Sequence, residues 1–249
     1  MDPRARQDEH GWPKQPPVLT ADQERAREAF VAAWHRQLPT RYRGIERFNH
    51  GSVSRLPVRN GSTTLEIGAG MGAHSKFEDL TRQQYYCLEY RQVFCDELLK
   101  LFPAERVRHG DIEQRQPWPD GFFDRVVAIH VLEHLRNLPL AVAEIRRLLK
   151  PDGCFDVVLP CEGGLAYAVA RKLSAERLFR RRFGMDYTPI IRNEHVSTLD
   201  EIVEELDPVF DVGARFFFPL RVPIGALNLC VAFRLVPRAS LPLEEAPHS

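Results

Sequence analysis

The chain has 249 residues, of which 44% are hydrophobic and 27% are charged, as expected for a globular protein that buries a sizeable core. Lysine plus arginine equals aspartate plus glutamate, at 34 each, so no net charge points to nucleic acid as a partner. The five cysteines form no C-x-x-C pair, and residues 1–14 lack the apolar stretch of a signal peptide. These features predict reduced thiols and a cytoplasmic protein.

The N-terminal region is predicted to contain a tail and two helices. Residues 1–19 combine four prolines with charged side chains, which is typical of a mobile tail. Thr20 and Gln23 have the spacing of a capping box, so a helix is expected to begin there and to end at Pro39. A second short helix is predicted over residues 44–56.

From residue 62 onward, apolar strands alternate with helical segments, which predicts a mostly parallel sheet with helices on both faces. The predicted strands are 63–67, 84–89, 106–109, 124–129 and 154–159. The predicted helices are 75–82, 91–101 and 138–149. A basic helical segment follows to about residue 184, and then come a loop, a helix over 198–206 and two closing β runs over 210–219 and 226–236.

A glycine-rich turn gives the strongest local signal. An apolar strand that ends at Ile67 runs directly into Gly68-Ala69-Gly70-Met71-Gly72. Glycine permits positive φ and lets a ligand approach the backbone closely. Glu66 at the strand end would repel a pyrophosphate, whereas a ligand with a cationic sulfonium and an amino-acid head group would tolerate it. The G-x-G-x-x-G spacing of dehydrogenases is absent, because Ala73 follows Gly72.

Two further acids end the next two predicted strands. Glu89 lies 23 residues beyond Glu66, where doubly wound nucleotide-binding folds place the carboxylate that binds ribose hydroxyls. Asp111, after the third strand, is placed to bond an adenine amino group. Each acid alone is explained equally well as a solvated loop carboxylate, but three at successive strand ends indicate a nucleoside site.

These motifs, together with His130-Val131-Leu132-Glu133-His134 and the turn at residues 147–153, resemble the class I S-adenosylmethionine-dependent methyltransferases. In particular, they resemble the methyltransferase type 11 group, whose fourth strand commonly ends in a Leu-Glu-His turn. The resemblance covers roughly residues 62–160. It implies a Rossmann-like, doubly wound α/β sheet of seven strands with the last antiparallel, and S-adenosyl-L-methionine as the cofactor.

The resemblance also implies a single methyltransferase domain over residues 20–240, followed by a tail over 241–249. Within it, residues 20–60 would form a helical lid and 61–160 the cofactor-binding core. Residues 161–200 would form a helical insert after strand 5, on the substrate side, and 201–240 a closing helix and hairpin.

By the same resemblance, Glu66 and Gly68 flank the methionine moiety, Glu89 holds the ribose, and Asp111 with Ile112 meets the adenine. The complete predicted cofactor set is Glu66, Gly68, Ala69, Gly70, Gly72, Glu89, Tyr90, Gly110, Asp111, Ile112, Ile129 and His130.

The segment from His130 to His134 also satisfies H-x-x-E-H, the zinc motif of one metallopeptidase class, with Glu204 as a third ligand. That motif requires one continuous helix, whereas residues 125–129 have the composition of a buried strand. The peptidase hypothesis also leaves Glu89 and the glycine turn unexplained, so no metal site is predicted.

Methyl transfer from a sulfonium is an in-line displacement, and a hydroxyl acceptor also needs a base to remove its proton. His130 and His195 are the predicted catalytic residues. Substrate contacts are predicted from His134, Glu162, Tyr167 and Arg171, near the exit of the fifth strand, where open α/β sheets bind ligands.

Residues 171–182 carry six basic side chains against the single acid Glu176. Two interpretations explain these charges equally well. The segment is either a solvated helix face, or a site for an anionic acceptor or an anionic membrane surface. The insert resembles bacterial methyltransferases associated with surface-polysaccharide synthesis. We therefore expect metal-independent O-methylation of a small-molecule, saccharide or lipid-linked acceptor; a non-catalytic methyltransferase-like binding protein is the alternative.

Overall fold

A computed structural model describes residues 11–41 and 43–238, with only the backbone given for residue 32 and residues 34–41. Its centre is a seven-stranded sheet of order β3-β2-β1-β4-β5-β7-β6. The strands are β1 (Ser62–Ile67), β2 (Gln83–Glu89), β3 (Val107–His109), β4 (Phe123–Ile129), β5 (Leu149–Pro160), β6 (Phe210–Phe218) and β7 (Cys230–Pro237). The first five are mutually parallel, and β7 is antiparallel to both β5 and β6.

The sheet confirms the predicted fold class. The central strand β4 carries an uninterrupted apolar run, Val126-Val127-Ala128, that is fully buried, as expected for a parallel strand covered on both faces. β1 pairs with β2 on one side and with β4 on the other, so the chain order reverses between β1 and β4. In open α/β sheets a ligand crevice lies at this reversal, outside the carboxyl ends of the strands.

Eight helices flank the sheet among the described residues. They are α1 (Ala21–Arg41), α2 (Arg43–Ser54), α3 (Gln92–Leu98), α4 (Leu138–Leu148), α5 (Leu165–Arg171), α6 (Arg177–Phe183), α7 (Thr188–Glu194) and α8 (Leu199–Leu206). A π-helical turn, Lys172–Glu176, joins α5 to α6. Short 3₁₀ turns occur at His74–Phe77, Ala104–Arg106, Leu132–His134 and Gly225–Leu227.

The first helix begins as predicted and ends later than predicted. The Thr20 amide donates to Gln23 Oε1 at 2.9 Å and the Gln23 amide donates to Thr20 Oγ1 at 3.3 Å, which forms the expected capping box. The prediction that Pro39 ends α1 is wrong, since the helix runs to Arg41. Pro39 lies in the last turn of this helix of 21 residues, where the missing amide and the ring of proline do not end it before Arg41.

Three other predicted segments differ in the structure. The helix over 75–82 is only the 3₁₀ turn His74–Phe77, because Asp79 Oδ1 accepts from the Thr81 amide at 3.1 Å and closes a local turn. The helix predicted over 91–101 is the shorter α3. The loop predicted after residue 184 contains α7, which Asp186 starts by accepting from the Thr188 amide at 3.2 Å.

The segment before α1 is packed where the structure describes it. Trp12 is 5% exposed and its Nε1 donates to Glu205 Oε1 at 3.1 Å. Lys14 forms an ion pair of 2.7 Å with Glu201 on the same helix, α8. The prediction of a mobile tail is therefore wrong for these residues. Its proline-rich, charged composition gave no sign of this packing, but a single indole buries a large apolar area. Residues 1–10 and the tail predicted over 241–249 lie outside the described residues.

Two apolar clusters set the position of the substrate-side insert. The larger lies between the sheet and helices α4 and α8. The second joins α1 to the insert, where the Phe30 ring contacts Phe179 and Tyr187 with centroids 5.2 and 5.7 Å apart. The lid predicted over residues 20–60 therefore packs, through α1, on the insert.

A buried ion network lies where α2 covers the sheet. The Arg125 guanidinium, 2% exposed, bonds Asp156 at 2.6 Å and Glu78 at 2.9 Å. It also donates to the Val53 carbonyl of α2 at 3.2 Å. All five cysteines are free thiols, and no helix among residues 11–41 and 43–238 is long and apolar enough to span a bilayer.

Candidate functional site

The glycine turn after β1 leaves one stretch of backbone open and packs the rest tightly. Gly68, Gly70 and Gly72 all have positive φ, at 64°, 53° and 74°. A Cβ on Gly68 would lie 2.5 Å from Val131 Cγ2, and one on Gly72 would lie 2.8 Å from Leu101 Cδ1. A Cβ on Gly70 would have no atom within 4 Å. Gly70 therefore offers bare backbone to a ligand, while Gly68 and Gly72 are required by packing.

Glu89 ties together the ends of the first three strands. Its Oε2 accepts from the Gly70 amide at 2.8 Å and its Oε1 accepts from the Arg91 amide at 2.8 Å. Its carbonyl accepts from the Gly110 amide at 3.0 Å. The side chain is only 5% exposed, so the carboxylate is held in one orientation beside the open glycine backbone.

The β3 end supplies the remaining predicted cofactor residues. Asp111 Oδ1 accepts from the Glu113 amide at 2.9 Å, and its carbonyl accepts from Gln116 Nε2 at 2.6 Å. Ile112 is 3% exposed in the main core, and Tyr90 is 69% exposed at the rim. The turn is thus rigid, and Tyr90 is the exposed side chain next to it.

Glu66 lies inside the sheet rather than on its rim. It is 3% exposed and accepts a hydrogen bond of 2.9 Å from the Tyr85 hydroxyl. Burial raises the pKa of Glu66 to about 8, and the Tyr85 hydrogen bond opposes that shift only in part. At neutral pH the group is mostly protonated, and a nearby cation would favour its ionised form.

His130, at the end of β4, has a strained backbone. Its φ of 54° makes it the non-glycine residue with positive φ among those described, a conformation that costs of order 1–3 kcal/mol and that is often found at functional sites. Its Nδ1 lies 3.2 Å from Glu133 Oε1 and its Nε2 lies 4.0 Å from Cys230 Sγ. Burial lowers the pKa of His130, but these two contacts outweigh it and raise the pKa to about 10.

The raised pKa changes the role that His130 can have. An imidazole that carries a proton on both nitrogens donates hydrogen bonds and cannot accept a proton. The predicted role of His130 as a general base is therefore not favoured in the resting protein. Ile129, which precedes it, is half-buried and packs in the cluster beneath α2.

Glu133, His134 and His195 come together beside the β4 turn. His134 Nδ1 donates to the Glu194 carbonyl at 2.7 Å, and His195 Nδ1 lies 2.9 Å from Glu162 Oε2. The two imidazole rings meet edge to face with centroids 4.9 Å apart. The Val196 amide donates to the Glu133 carbonyl at 2.8 Å, which fixes the loop that carries His195.

The electrostatics of this cluster follow from its burial. Burial alone would raise the pKa of Glu133, but the His130 hydrogen bond and the nearby imidazoles lower it to about 2. For His134, burial comes first and lowers the pKa, and the neighbouring His195 lowers it further. The cluster thus combines a buried carboxylate anion with imidazoles.

A cavity of about 220 Å³ opens beside His195. Glu162, at its wall, accepts from both His195 and Arg171. Burial opposes ionisation of Glu162, but His195 and Arg171 lower its pKa, as does a hydrogen bond from Tyr167. The cavity is lined by Glu162, Arg171, Glu176, Tyr187, Thr188, Ile191, Arg192 and His195. Three of the four predicted substrate residues therefore cluster, and the fourth, His134, stacks edge-on against His195.

The zinc-peptidase hypothesis is not supported. His130 ends a strand with left-handed backbone, and only Leu132–His134 form a 3₁₀ turn, so the two histidines do not share one helix face. His130 Nδ1 bonds Glu133, and Glu204 lies on α8 outside the Glu133–His134–His195 group.

The sequence did not reveal which side chains pair across this site. Glu162 and His195 are 33 residues apart and bond directly, and Glu194 supplies the carbonyl that orients His134 from 60 residues away. Local spacing carries no information on such contacts. The one available signal was the adjacent pair Glu194-His195 in a segment between two helical stretches.

Comparisons with known proteins agree with this geometry. Residues 65–157 match a family described as a methyltransferase domain. A sterol 24-C-methyltransferase of Gibberella zeae is 31% identical over 122 residues, covering 46% of this chain and 32% of that protein. A probable S-adenosylmethionine-dependent methyltransferase of Mycolicibacterium smegmatis is 31% identical over 100 residues, covering 40% of this chain and 38% of that protein. The match thus spans about a third of the length of these relatives.

Solved structures show the same fold. A SAM-dependent methyltransferase from Thermotoga maritima, described as a possible histamine N-methyltransferase, superposes with a TM-score of 0.58 at 15% identity. The superposition covers 86% of this chain and 99% of that one. The likeness therefore extends well beyond the matched residues 65–157.

Proposed function

We propose that this chain, whose residues 65–157 match a methyltransferase domain family, transfers a methyl group from S-adenosyl-L-methionine to an oxygen of a small polar acceptor. The observation that carries the proposal is the juxtaposition at the β1–β4 reversal. The open backbone at Gly70 and the fixed carboxylate of Glu89 lie on one side. The wall of Glu133, His134 and His195 lies on the other.

The residues present fit the cofactor. Gly70 has room for a ligand against its backbone, and Glu89 presents a buried carboxylate suited to ribose hydroxyls. Glu66 would face the cationic part of the donor, where a buried carboxylate of raised pKa becomes an anion once a cation is close. When bound, S-adenosyl-L-methionine supplies an electrophilic methyl group on a sulfonium.

The residues of the chain must align the acceptor with the methyl group and provide for removal of the acceptor's proton. Alignment of the nucleophile with the methyl group supplies most of the rate in such displacements. We assign the acceptor to the cavity beside His195, where Glu162 and Arg171 offer an acceptor and a donor of hydrogen bonds. A cavity of about 220 Å³ is smaller than the roughly 300–1,000 Å³ of drug-sized pockets, so it suits one polar group of sugar size rather than a whole lipid.

The methyl acceptors named for the relatives argue for testing other atoms as well. One matched protein is a sterol 24-C-methyltransferase and another is a coclaurine N-methyltransferase of Papaver somniferum. Oxygen is supported here by the polar, charged lining of the cavity, which is unsuited to a sterol ring.

The activity is tested with methyl-labelled donor and a panel of saccharide, nucleotide-sugar and phenolic acceptors. We expect label transfer to a hydroxyl-bearing acceptor. His195→Ala should lose at least about 100-fold in turnover, the lower range for a lost proton-handling group, while S-adenosylhomocysteine binding stays unchanged. Cofactor binding without transfer to any acceptor would instead favour the non-catalytic alternative.

We also propose that α5 and the loop after β6 contact an anionic membrane surface at which a lipid-linked acceptor is presented. Leu165, Val169 and Leu173 follow a helical spacing and are 69%, 49% and 69% exposed. The start of α5 touches the loop, since a Cβ on Gly164 would lie 3.1 Å from the Ala226 Cα. That loop exposes four more apolar side chains, Leu220, Val222, Ile224 and Leu227.

Basic side chains flank this apolar stripe, defined here as Leu165, Val169, Leu173 and residues 220–227. Lys172, Arg177 and Arg181 are exposed. An apolar face flanked by basic residues is typical of helices that lie in the headgroup region of anionic bilayers.

Sedimentation with phosphatidylglycerol vesicles tests this contact. The intact chain should co-sediment at low salt, and Leu165→Ser with Leu173→Ser should abolish the binding. Val93→Ser, which alters an equally exposed apolar residue on α3, should have no effect. Equal sedimentation of all variants, or none at low salt, would refute membrane contact without affecting the methyl-transfer proposal.

A further inference from the structure

The geometry points to a binding site for a divalent transition-metal ion formed by Glu133, His134 and His195. One ligand-competent atom from each residue lies within 4.8 Å of the other two. Bonds of about 2.1 Å in a tetrahedral site place ligand atoms about 3.4 Å apart, so small side-chain rotations close the site. The inference reverses the expectation from sequence that no metal is bound.

One of the three residues, Glu133, carries a buried oxygen without a hydrogen-bond partner. Glu133 is 1% exposed; its Oε1 bonds His130, and its Oε2 has no hydrogen-bond partner among the described residues. A buried carboxylate oxygen without a partner costs free energy. A metal ion between Glu133 and the two imidazoles would satisfy it.

Both histidines have the hydrogen-bond partners that metal-bound histidines commonly have. His134 Nδ1 donates to the Glu194 carbonyl and His195 Nδ1 bonds the Glu162 carboxylate. With Nδ1 engaged in this way, each ring has Nε2 as the nitrogen that it can offer to a metal. Such carbonyl and carboxylate partners are characteristic of metal-bound histidines, and they fix the ring orientation.

The ligand set indicates the class of metal and its use. Two imidazoles and one carboxylate bind zinc, iron, cobalt or manganese, and leave coordination positions open for a substrate. Magnesium and calcium prefer oxygen ligands alone, so the two imidazoles here do not favour them. His134 is 37% exposed and His195 lines the cavity, so the ligand set lies next to the proposed acceptor cavity.

Resting on the proposed methyl transfer, the inference gives His195 a role as ligand rather than as base. A hydroxyl oxygen bound to the metal releases its proton to water more readily, because the ion lowers its pKa. That oxygen forms a bond to the methyl carbon while the methyl–sulfur bond breaks, and the electron pair stays on sulfur, which becomes a neutral thioether. Acceptors with an additional oxygen donor beside the reacting hydroxyl would bind best.

Co²⁺ titration of the chelator-treated full chain tests the site directly, because nitrogen ligation changes the visible absorption of Co²⁺. We expect one equivalent to bind, and Zn²⁺ to displace it. His134→Ala, at a partly exposed position that should not disturb folding, should abolish the spectrum, as should Glu133→Gln. His109→Gln, at an exposed histidine on β3, should bind normally.

A second variant separates a designed site from chance proximity. Glu162→Gln keeps all three ligands and weakens the partner of His195, so it should reduce metal affinity about 10–100-fold. Unchanged affinity in His134→Ala or Glu162→Gln, or no absorption change in the intact chain, would overturn the inference. S-adenosylhomocysteine binding, measured on the same metal-free samples, reports on the proposed function separately.

Discussion

The candidate site has two halves: the proposed cofactor half at the glycine turn after β1, and the proposed acceptor half beside the His195 cavity. Each contains a buried glutamate near a strand end, and the two glutamates have different charges. Glu66, 3% exposed, has one hydroxyl partner, and burial raises its pKa to about 8. Glu133, 1% exposed, faces three imidazoles that outweigh burial and lower its pKa to about 2. Similar burial thus gives a mostly neutral acid beside the glycine turn and an anion beside the cavity.

At similar burial, the hydrogen-bond and charged partners of a carboxylate therefore decide whether it is ionised. A neutral Glu66 can become ionised when a cationic ligand binds, whereas Glu133 is already ionised and hydrogen-bonded to His130. The two halves nevertheless share one contact, since Val131 of the β4 turn fills the space above Gly68.

The largest expected effect comes from breaking that shared contact. Gly68→Ala places a Cβ 2.5 Å from Val131 Cγ2 at a φ of 64°, so it displaces the turn that carries both halves. We expect loss of S-adenosylhomocysteine binding and a drop of about 2–4 kcal/mol in the free energy of unfolding, from strain plus overpacking. Calorimetry and urea denaturation measure the two effects.

Gly61→Ala is the matched control for Gly68→Ala. Its φ of 81° is equally left-handed, but no atom lies within 4 Å of the added Cβ. Strain alone should cost about 1–2 kcal/mol and leave cofactor binding intact. If both variants behave alike, the Gly68–Val131 contact does not couple the two halves.

A smaller effect is expected from neutralising Glu133. Glu133→Gln removes a charge-assisted hydrogen bond to His130, and bonds of this kind contribute about 1.5–3 kcal/mol. The free energy of unfolding at pH 7 should fall by that amount. A variant as stable as the parent would mean that the imidazoles do not stabilise the Glu133 anion.

Neutralising Glu66 should have the opposite sign. The folded pKa of about 8 lies above the unfolded value of 4.5, so the unfolded chain ionises first and the parent loses stability as pH rises from 4.5 to 8. Glu66→Gln removes that loss, so it should raise the free energy of unfolding, and the gain should be larger at pH 7.5 than at pH 5. Denaturation across this pH range measures it.

Glu97→Gln is the control, because the Glu97 side chain is 45% exposed. Its free energy of unfolding should show no such pH-dependent gain. Destabilisation by Glu66→Gln at pH 7.5 would contradict the neutral state of Glu66. It would also remove the contrast between the two halves.

The smallest effect is expected at the cavity wall. Arg171→Gln removes the guanidinium that bonds Glu162 and should raise KM for the acceptor about 5–10-fold, equivalent to about 1–1.4 kcal/mol, with little change in kcat. Arg182→Gln, an exposed arginine on the same insert, should leave KM unchanged. Equal effects would assign the change to overall charge rather than to the cavity.

The placement of the three acids was predictable because they follow one another at strand ends. Once Glu66, Glu89 and Asp111 were placed at the ends of successive strands, parallel pairing alone brought them to one edge. The strand bounds agree within one residue for β1 and β2, because their apolar runs are flanked by turn residues.

For the acceptor half, the sequence suggested individual residues but not which of them contact one another. Its contacts depend on how α7 and the loop to α8 return to the β4 turn, as in the bond between His195 and Glu162. The same limitation hid Trp12, whose partner Glu205 lies 193 residues away. Tertiary contacts of this range leave no local pattern.

Titration calorimetry of the full chain with S-adenosylhomocysteine tests the central claim most directly. We predict one site with a dissociation constant on the order of micromolar, within the usual range for enzyme ligands. Glu89→Ala should weaken it at least tenfold, because that carboxylate holds the Gly70 backbone and is the group we propose to bind the ribose hydroxyls. An absence of binding, or equal binding in Glu89→Ala, would contradict the assignment of the Gly68–Glu89 edge as the methyl-donor site.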